Sequence, residues 1–169
     1  MPAGTLFIRT RATIAKNGQS GISAYGGQNG WADAFERYGL SLEDGALEEI
    51  MTPAPHKEGD SNDGITGDGI AYDGSTIGKK DQRQLSFDVH IIASNQDDYF
   101  AKYDLFVAEV LDPGYFQLRT SFFPNRVYHL LFRSCQNYSH FLSGLAKFTI
   151  SCKEPHPEIR DLRDPYIWP

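Results

Sequence analysis

Leu85-Ser86-Phe87-Asp88-Val89-His90-Ile91-Ile92-Ala93 runs directly into Ser94-Asn95-Gln96-Asp97-Asp98-Tyr99-Phe100. The hydrophobic period changes at that junction. Leu85, Phe87, Val89, Ile91 and Ala93 fall on one face and Ser86, Asp88 and His90 on the other, the two-residue period of a half-buried strand. Beyond Asn95, Tyr99, Tyr103, Phe106, Val107 and Val110 recur at helical spacing, and Phe100 and Leu111 widen the stripe. Ser94 or Asn95 caps this helix, Asp97 and Asp98 suit the positive end of its dipole, and Asp112-Pro113-Gly114 stops it. The spacing therefore predicts a strand feeding a helix, Asn95 to Leu111, of about four turns. Tyr103, Phe106, Val107 and Val110 are expected in the core.

Most other segments read as strands that need such a helix to pack on. Leu6 to Ile14 reads as a first strand. Asn17-Gly18-Gln19-Ser20-Gly21 is a turn signal, and Ile22 to Tyr25 reads as the return strand of a hairpin. Trp31 to Tyr38 suits a short helix or an aromatic plug, and Ala46 to Met51 a helical turn that Pro53 and Pro55 end. Gly59 to Gly78 is dense in Gly and Asp and reads as a long surface loop with one short strand, Ile70 to Tyr72. Tyr115 to Thr120, Val127 to Arg133 and Ala146 to Cys152 read as strands, with a turn at Phe122 to Asn125. The tail from Glu154 to Pro169 holds four prolines and no periodicity. The fold class expected is α+β and mainly β: an antiparallel sandwich or split barrel with one flanking helix at about 95–111. It forms a single domain over 1–169, with an irregular insertion at about 26–82 and an extended tail at 154–169.

A chain of 169 residues is long enough to bury a full core. The formal charge is −6 and the basic residues are scattered, which argues against a duplex nucleic-acid binder. No stretch reaches the ~18 apolar residues of a membrane span, and no secretion signal is visible at the N-terminus. Cys135 and Cys152 are the only cysteines. A hairpin centred on His140 places Tyr128 opposite Cys152 and the sulfurs roughly 20 Å apart, so two reduced, buried thiols are expected.

Chemistry is sought and not found. Asp60-Ser61-Asn62-Asp63-Gly64 has its glycine one place too early for a calcium loop, and Ala71 stands where the bidentate Glu belongs. The histidines lack ligand spacing within any one element, and His90 and His129 alternate to polar faces, where solvent is the default. Ser143-Gly144 lacks the glycines of a nucleophile elbow. Cys135 and His129 share a face but lie about 20 Å apart along one strand. No catalytic residue, metal site or cofactor is expected.

The order of signals resembles a known family. Tyr38-Gly39-Leu40-Ser41-Leu42, Gly45-Ala46-Leu47 and Pro53-Ala54-Pro55-His56-Lys57 precede the glycine-rich loop. Arg83-Gln84-Leu85-Ser86-Phe87, the aromatic helix, two strands, Phe148-Thr149-Ile150 and Glu154-Pro155-His156-Pro157 follow. Over Leu6 to Arg160 this is similar to phage tail proteins of the distal-tail and tail-tube type, particularly those of phages and prophages of gut Bacteroides. The resemblance implies a structural virion subunit, made in the host cytoplasm. Copies would close into a hexameric ring around the DNA channel, with a hairpin or loop reaching the next subunit. It implies as partners the chain itself and other tail proteins, with no sequence-specific nucleic acid and no membrane insertion. A second, carbohydrate-binding domain of the kind some distal-tail proteins carry is not expected within these 169 residues, which argues against direct host recognition by them. The alternative is a monomeric β-sandwich module that binds carbohydrate or protein. Three irregular regions hold or adjoin large apolar residues that loops normally shed. Tyr25, Trp31, Ile65, Ile70, Tyr72, Tyr166 and Trp168 are accordingly the candidate contacts between subunits, with packing into the subunit's own core as the competing explanation.

Overall fold

The computed structural model describes residues 4–57, 61–63, 70–72, 79–140 and 144–164, and of 61–63 and 70–72 the backbone alone. In chain order its elements are β1 (Leu6–Arg9), α1 (Arg11–Ala15), β2 (Ile22–Tyr25), β3 (Gln28–Asp33), α2 (Ala34–Tyr38), β4 (Leu40–Leu42), α3 (Ala46–Met51), β5 (Ser61–Asp63) and β6 (Ile70–Tyr72). Then come β7 (Arg83–Ile92), α4 (Gln96–Phe106) with a π turn (Val107–Leu111), β8 (Tyr115–Thr120), β9 (Phe123–His140) and β10 (Leu145–Glu154).

Eight strands form one open sheet in the order β2-β3-β1-β8-β9-β10-β7-β4, and every pairing in it is antiparallel. β5 and β6 pair only with each other. This is the mainly β, α+β architecture that the alternation predicts. The register aligns the apolar alternations: Phe87 lies opposite Ile150, Val89 opposite Phe148 and Ile91 opposite Ala146. The same face continues through Phe116–Leu130 and Leu118–Tyr128 to Ile8–Leu118 and Ile8–Ala32. Its side chains belong to one core with Phe106 and Val110.

α4 lies on that face. Asn95 caps it by accepting from the Asp98 N–H. The Phe106 ring is wholly buried and meets Tyr38 edge-on at 5.5 Å and Phe148 at 6.2 Å, spacings at which aromatic pairs attract. Tyr103 and Val107, expected to be buried, are half-buried, packed against the core at its rim. Phe100, expected to widen the stripe, is exposed, while Tyr99 is buried. The helix does not stay α to Leu111. The Asp112 N–H reaches back five residues to the Val107 carbonyl at 2.8 Å, and the widened turn buries Glu109, Val110 and Leu111 together.

The first strand is shorter than its pattern suggests. It ends at Arg9 because Thr10 and Thr13 cap α1 reciprocally, each side-chain oxygen accepting from the other's N–H, at 2.8 and 3.2 Å. The first hairpin is also different. β2, expected as a return strand, instead opens a hairpin: β3 returns from it through Gly26 and Gly27, both at positive φ, as a tight two-residue turn requires. β3 then lies between β2 and β1. The last hairpin turns beyond His140, so Cys135 faces Ile150 and Cys152 faces Phe132. Both cysteines are free. Cys152 is buried as expected, but Cys135 is exposed.

Candidate functional site

The charged groups of the interior tie elements together. Glu109, on the π turn, is buried. It accepts from Arg37 Nε at 2.9 Å and Nη2 at 2.8 Å, from Lys16 Nζ at 2.6 Å and from the Tyr38 hydroxyl at 2.7 Å. Burial alone would raise its pKa, but hydrogen bonds from Arg37, Lys16 and Tyr38 outweigh it and hold the carboxyl down at about 2. One carboxylate thus joins α1's end, α2 and the π turn. Glu154, at the end of β10, does the same for the start of the tail. Arg160 grips it with two nitrogens at 2.7 and 3.0 Å, and Arg83 Nε lies 2.9 Å away. Arg83 Nη1 also donates to the Ile50 and Thr52 carbonyls at the end of α3, where a helix favours positive charge.

Where β3, β1, β8 and the start of β9 meet, the face of the sheet opposite α4 is covered from the subunit itself. Trp31, Val127 and Leu162 form a second buried cluster, with Phe7 and Tyr25 against it. The Arg119 guanidinium is held over Phe7 at 4.2 Å, Tyr25 at 3.8 Å and Trp31 at 4.9 Å, a cation enclosed by three rings. The tail lies along β9 here. The Val127 N–H donates to the Arg160 carbonyl at 2.7 Å and the Leu162 N–H to the Asn125 carbonyl at 2.8 Å. Beside it, the Tyr115 hydroxyl lies 2.6 Å from His129 Nδ1 and the two rings stack. His129, expected in solvent, is buried. That burial, with Arg9 nearby, pushes its pKa down to about 4.

The candidate contact residues separate accordingly. Trp31 has no exposed surface, so in this fold it serves the subunit's own core and is withdrawn as a contact. Tyr25 is half-buried against Arg119. Ile70 and Tyr72 lie on β6, paired with Asp63 and Ser61, and their side chains fall outside the described residues, as do Ile65, Tyr166 and Trp168. Among the described residues, the exposed large apolar side chains are Phe35, Ile92, Phe100, Phe122, Phe123 and Tyr138. Tyr138 joins Tyr99 through their hydroxyls at 2.6 Å, and Phe100 packs beside His140. Sequence reasoning passed over Arg119, Glu109 and Glu154 because a lone charge on a strand or helix reads as a solvated face. Only the neighbours across the sheet reveal them.

Among the described residues no group of three or more His, Cys, Asp and Glu is placed to hold a metal. No described helix is long and apolar enough to cross a membrane. Burial raises the pKa of Cys152, and partial desolvation raises that of the more exposed Cys135, in both cases the reverse of activation.

No family model and no curated protein matches this chain. Among solved structures its fold is similar to the SPP1 Dit protein (gp 19.1), described as a paradigm of the hub adsorption apparatus in phages that infect Gram-positive bacteria. The TM-score is 0.51 at 12% identity, over 90% of this chain and 50% of that one. The likeness is one of fold. This chain spans about half the length of the Dit chain.

Proposed function

We propose that this chain is a structural subunit of a phage tail, of the distal-tail type, and that its copies close into a ring, a hexamer, around the DNA channel. The observation that carries the reading is the likeness of fold to a tail hub protein, which extends over 90% of the chain and agrees in kind with the resemblance seen in the sequence. An origin among phages of gut Bacteroides rests on the sequence resemblance alone. The interior charges support a structural role, since Glu109 and Glu154 are each engaged by basic groups from other segments. A ring subunit needs two different patches that meet head-to-tail. The exposed aromatics around Phe122–Phe123 and around Phe100–Tyr138 belong to opposite ends of β9 and supply two such patches. The decisive measurement is localisation: gold-labelled antibody to this chain, imaged on assembled particles, should mark the tail. Labelling of the capsid, or of no particle, would overturn the proposal.

A further inference from the structure

Arg119 is a charge buried without a counter-ion. It lies on β8 opposite Phe7 of β1 and is 4% exposed. Its guanidinium carbon sits 3.8 Å from the centre of the Tyr25 ring, 4.2 Å from Phe7 and 4.9 Å from Trp31. Among the described residues nothing accepts a hydrogen bond from it. Nε is enclosed with no partner, and neither Nη carries a hydrogen bond or an ion pair. The other buried arginines and acids among those residues are matched: Glu109 by Lys16 and Arg37, Glu154 by Arg83 and Arg160. Burial pulls the pKa of Arg119 below the ordinary 12.5, and the group acting the other way is Tyr25, not a carboxylate.

The cage is rich in donors and short of acceptors. Trp31 brings a second enclosed donor, its indole N–H, which also has no partner. The Tyr25 hydroxyl is turned to Asn125 Oδ1, at 3.5 Å. Cation–π attraction to three rings offsets part of the cost of burying a charge. It leaves the N–H groups at the edge of the guanidinium unmet, and a buried charge without hydrogen bonds is costly. Because Nε is the enclosed nitrogen, Nη1 and Nη2 are the ones that still reach the surface. They form one end of the guanidinium fork.

We infer that this caged fork is a binding site for a carboxylate group, held end-on by Nη1 and Nη2 of Arg119 between the walls of Phe7, Tyr25 and Trp31. The group comes from a small ligand or from an acidic side chain of a partner protein. A carboxylate is planar and singly charged, so it meets the fork in two parallel hydrogen bonds and cancels one cation. A phosphate is the weaker occupant. It brings about two negative charges to a single arginine and leaves one uncompensated among apolar rings. The inference stands apart from the tail reading, since it uses one subunit alone.

The test is thermal melting and tryptophan fluorescence of the full chain, with Trp168→Phe in the background so that Trp31 is the one indole left. In about 100 mM sodium acetate the protein should melt about 3 °C higher than in equal chloride. Trp31 emission should change saturably over the same titration. Arg119→Met, close in length and uncharged, should melt in chloride no lower than the parent, since it removes a buried charge that nothing pairs. It should show neither response to acetate. Arg119→Lys keeps the charge but not the fork and should bind acetate about fivefold more weakly. The blocked peptide acetyl-Ala-Asp-Ala-amide, run beside acetate, separates the two sources: tighter binding of the peptide assigns the site to a protein side chain, tighter binding of acetate to a small carboxylate. A methionine variant that melts several degrees below the parent in chloride would overturn the assignment and make Arg119 a structural cation. So would an acetate response that survives in that variant, no response in the parent, or phosphate binding tighter than either carboxylate.

Discussion

Phe106 is the side chain on which the core turns, touching both α2 and β10. Phe106→Ala should cost roughly 3–5 kcal/mol in urea unfolding, and a loss below ~1 kcal/mol would mean that the helix face is wrongly assigned. Two buried titratable groups make acid stability a second test. Glu109 drops from 4.5 to about 2 on folding and His129 from 6.5 to about 4. Each binds fewer protons in the folded state, so the stability each contributes is present at neutral pH and lost on acidification. For His129 the loss begins below pH 6.5 and completes near 4; for Glu109 it runs from 4.5 to about 2. Either shift is worth about 3 kcal/mol by linkage. Melting temperature against pH should therefore fall in two stages, and Glu109→Gln should remove the lower one while lowering stability at pH 7. A single stage below pH 4 would show that His129 is not buried neutral. Neither residue announces itself in the sequence, since burial of a His or Glu depends on what lies opposite.

α4 was legible because a change of period from two to about three and a half is a local signal, and Asn95 caps it with its own side chain. The first strand was not, because its continuation competed with another local signal, the Thr10–Thr13 pair, that alternation conceals. α1 then packs on β3 at Gly30, whose φ is +88° and where an added Cβ would lie 2.5 Å from Ile14 Cα. Gly27 has a similar φ of +81° but open space around it. Gly27→Ala should cost about 1 kcal/mol, the backbone penalty alone. Gly30→Ala should cost distinctly more, because backbone must move against backbone. Equal losses in the two variants would mean that α1 does not sit on β3.

The tail belongs to the subunit as far as Leu162, which is buried beneath Trp31 and Val127. A chain ending at Ile159 loses Leu162, the Arg160–Glu154 pair and two backbone hydrogen bonds to β9. Its melting temperature should fall by several degrees. A chain ending at Asp164 keeps them all and should melt within a degree or two of the full protein; weaker self-association in that chain would assign Tyr166 and Trp168 to a neighbouring subunit. Composition and alternation were enough to determine a mainly β chain with one aromatic helix on the sheet, because strand faces and helix stripes are written in short periods that any conformation of the rest must satisfy. The partners were not written there. That β3 rather than β2 pairs with β1, that Trp31 and Arg119 meet on the outer face and that Glu109 collects Lys16, Arg37 and Tyr38 depend on contacts between residues far apart in the chain. Many pairings satisfy the same alternation, and the one adopted also brings the apolar faces together, pairs Glu109 and Glu154 with basic groups and encloses Arg119 in rings.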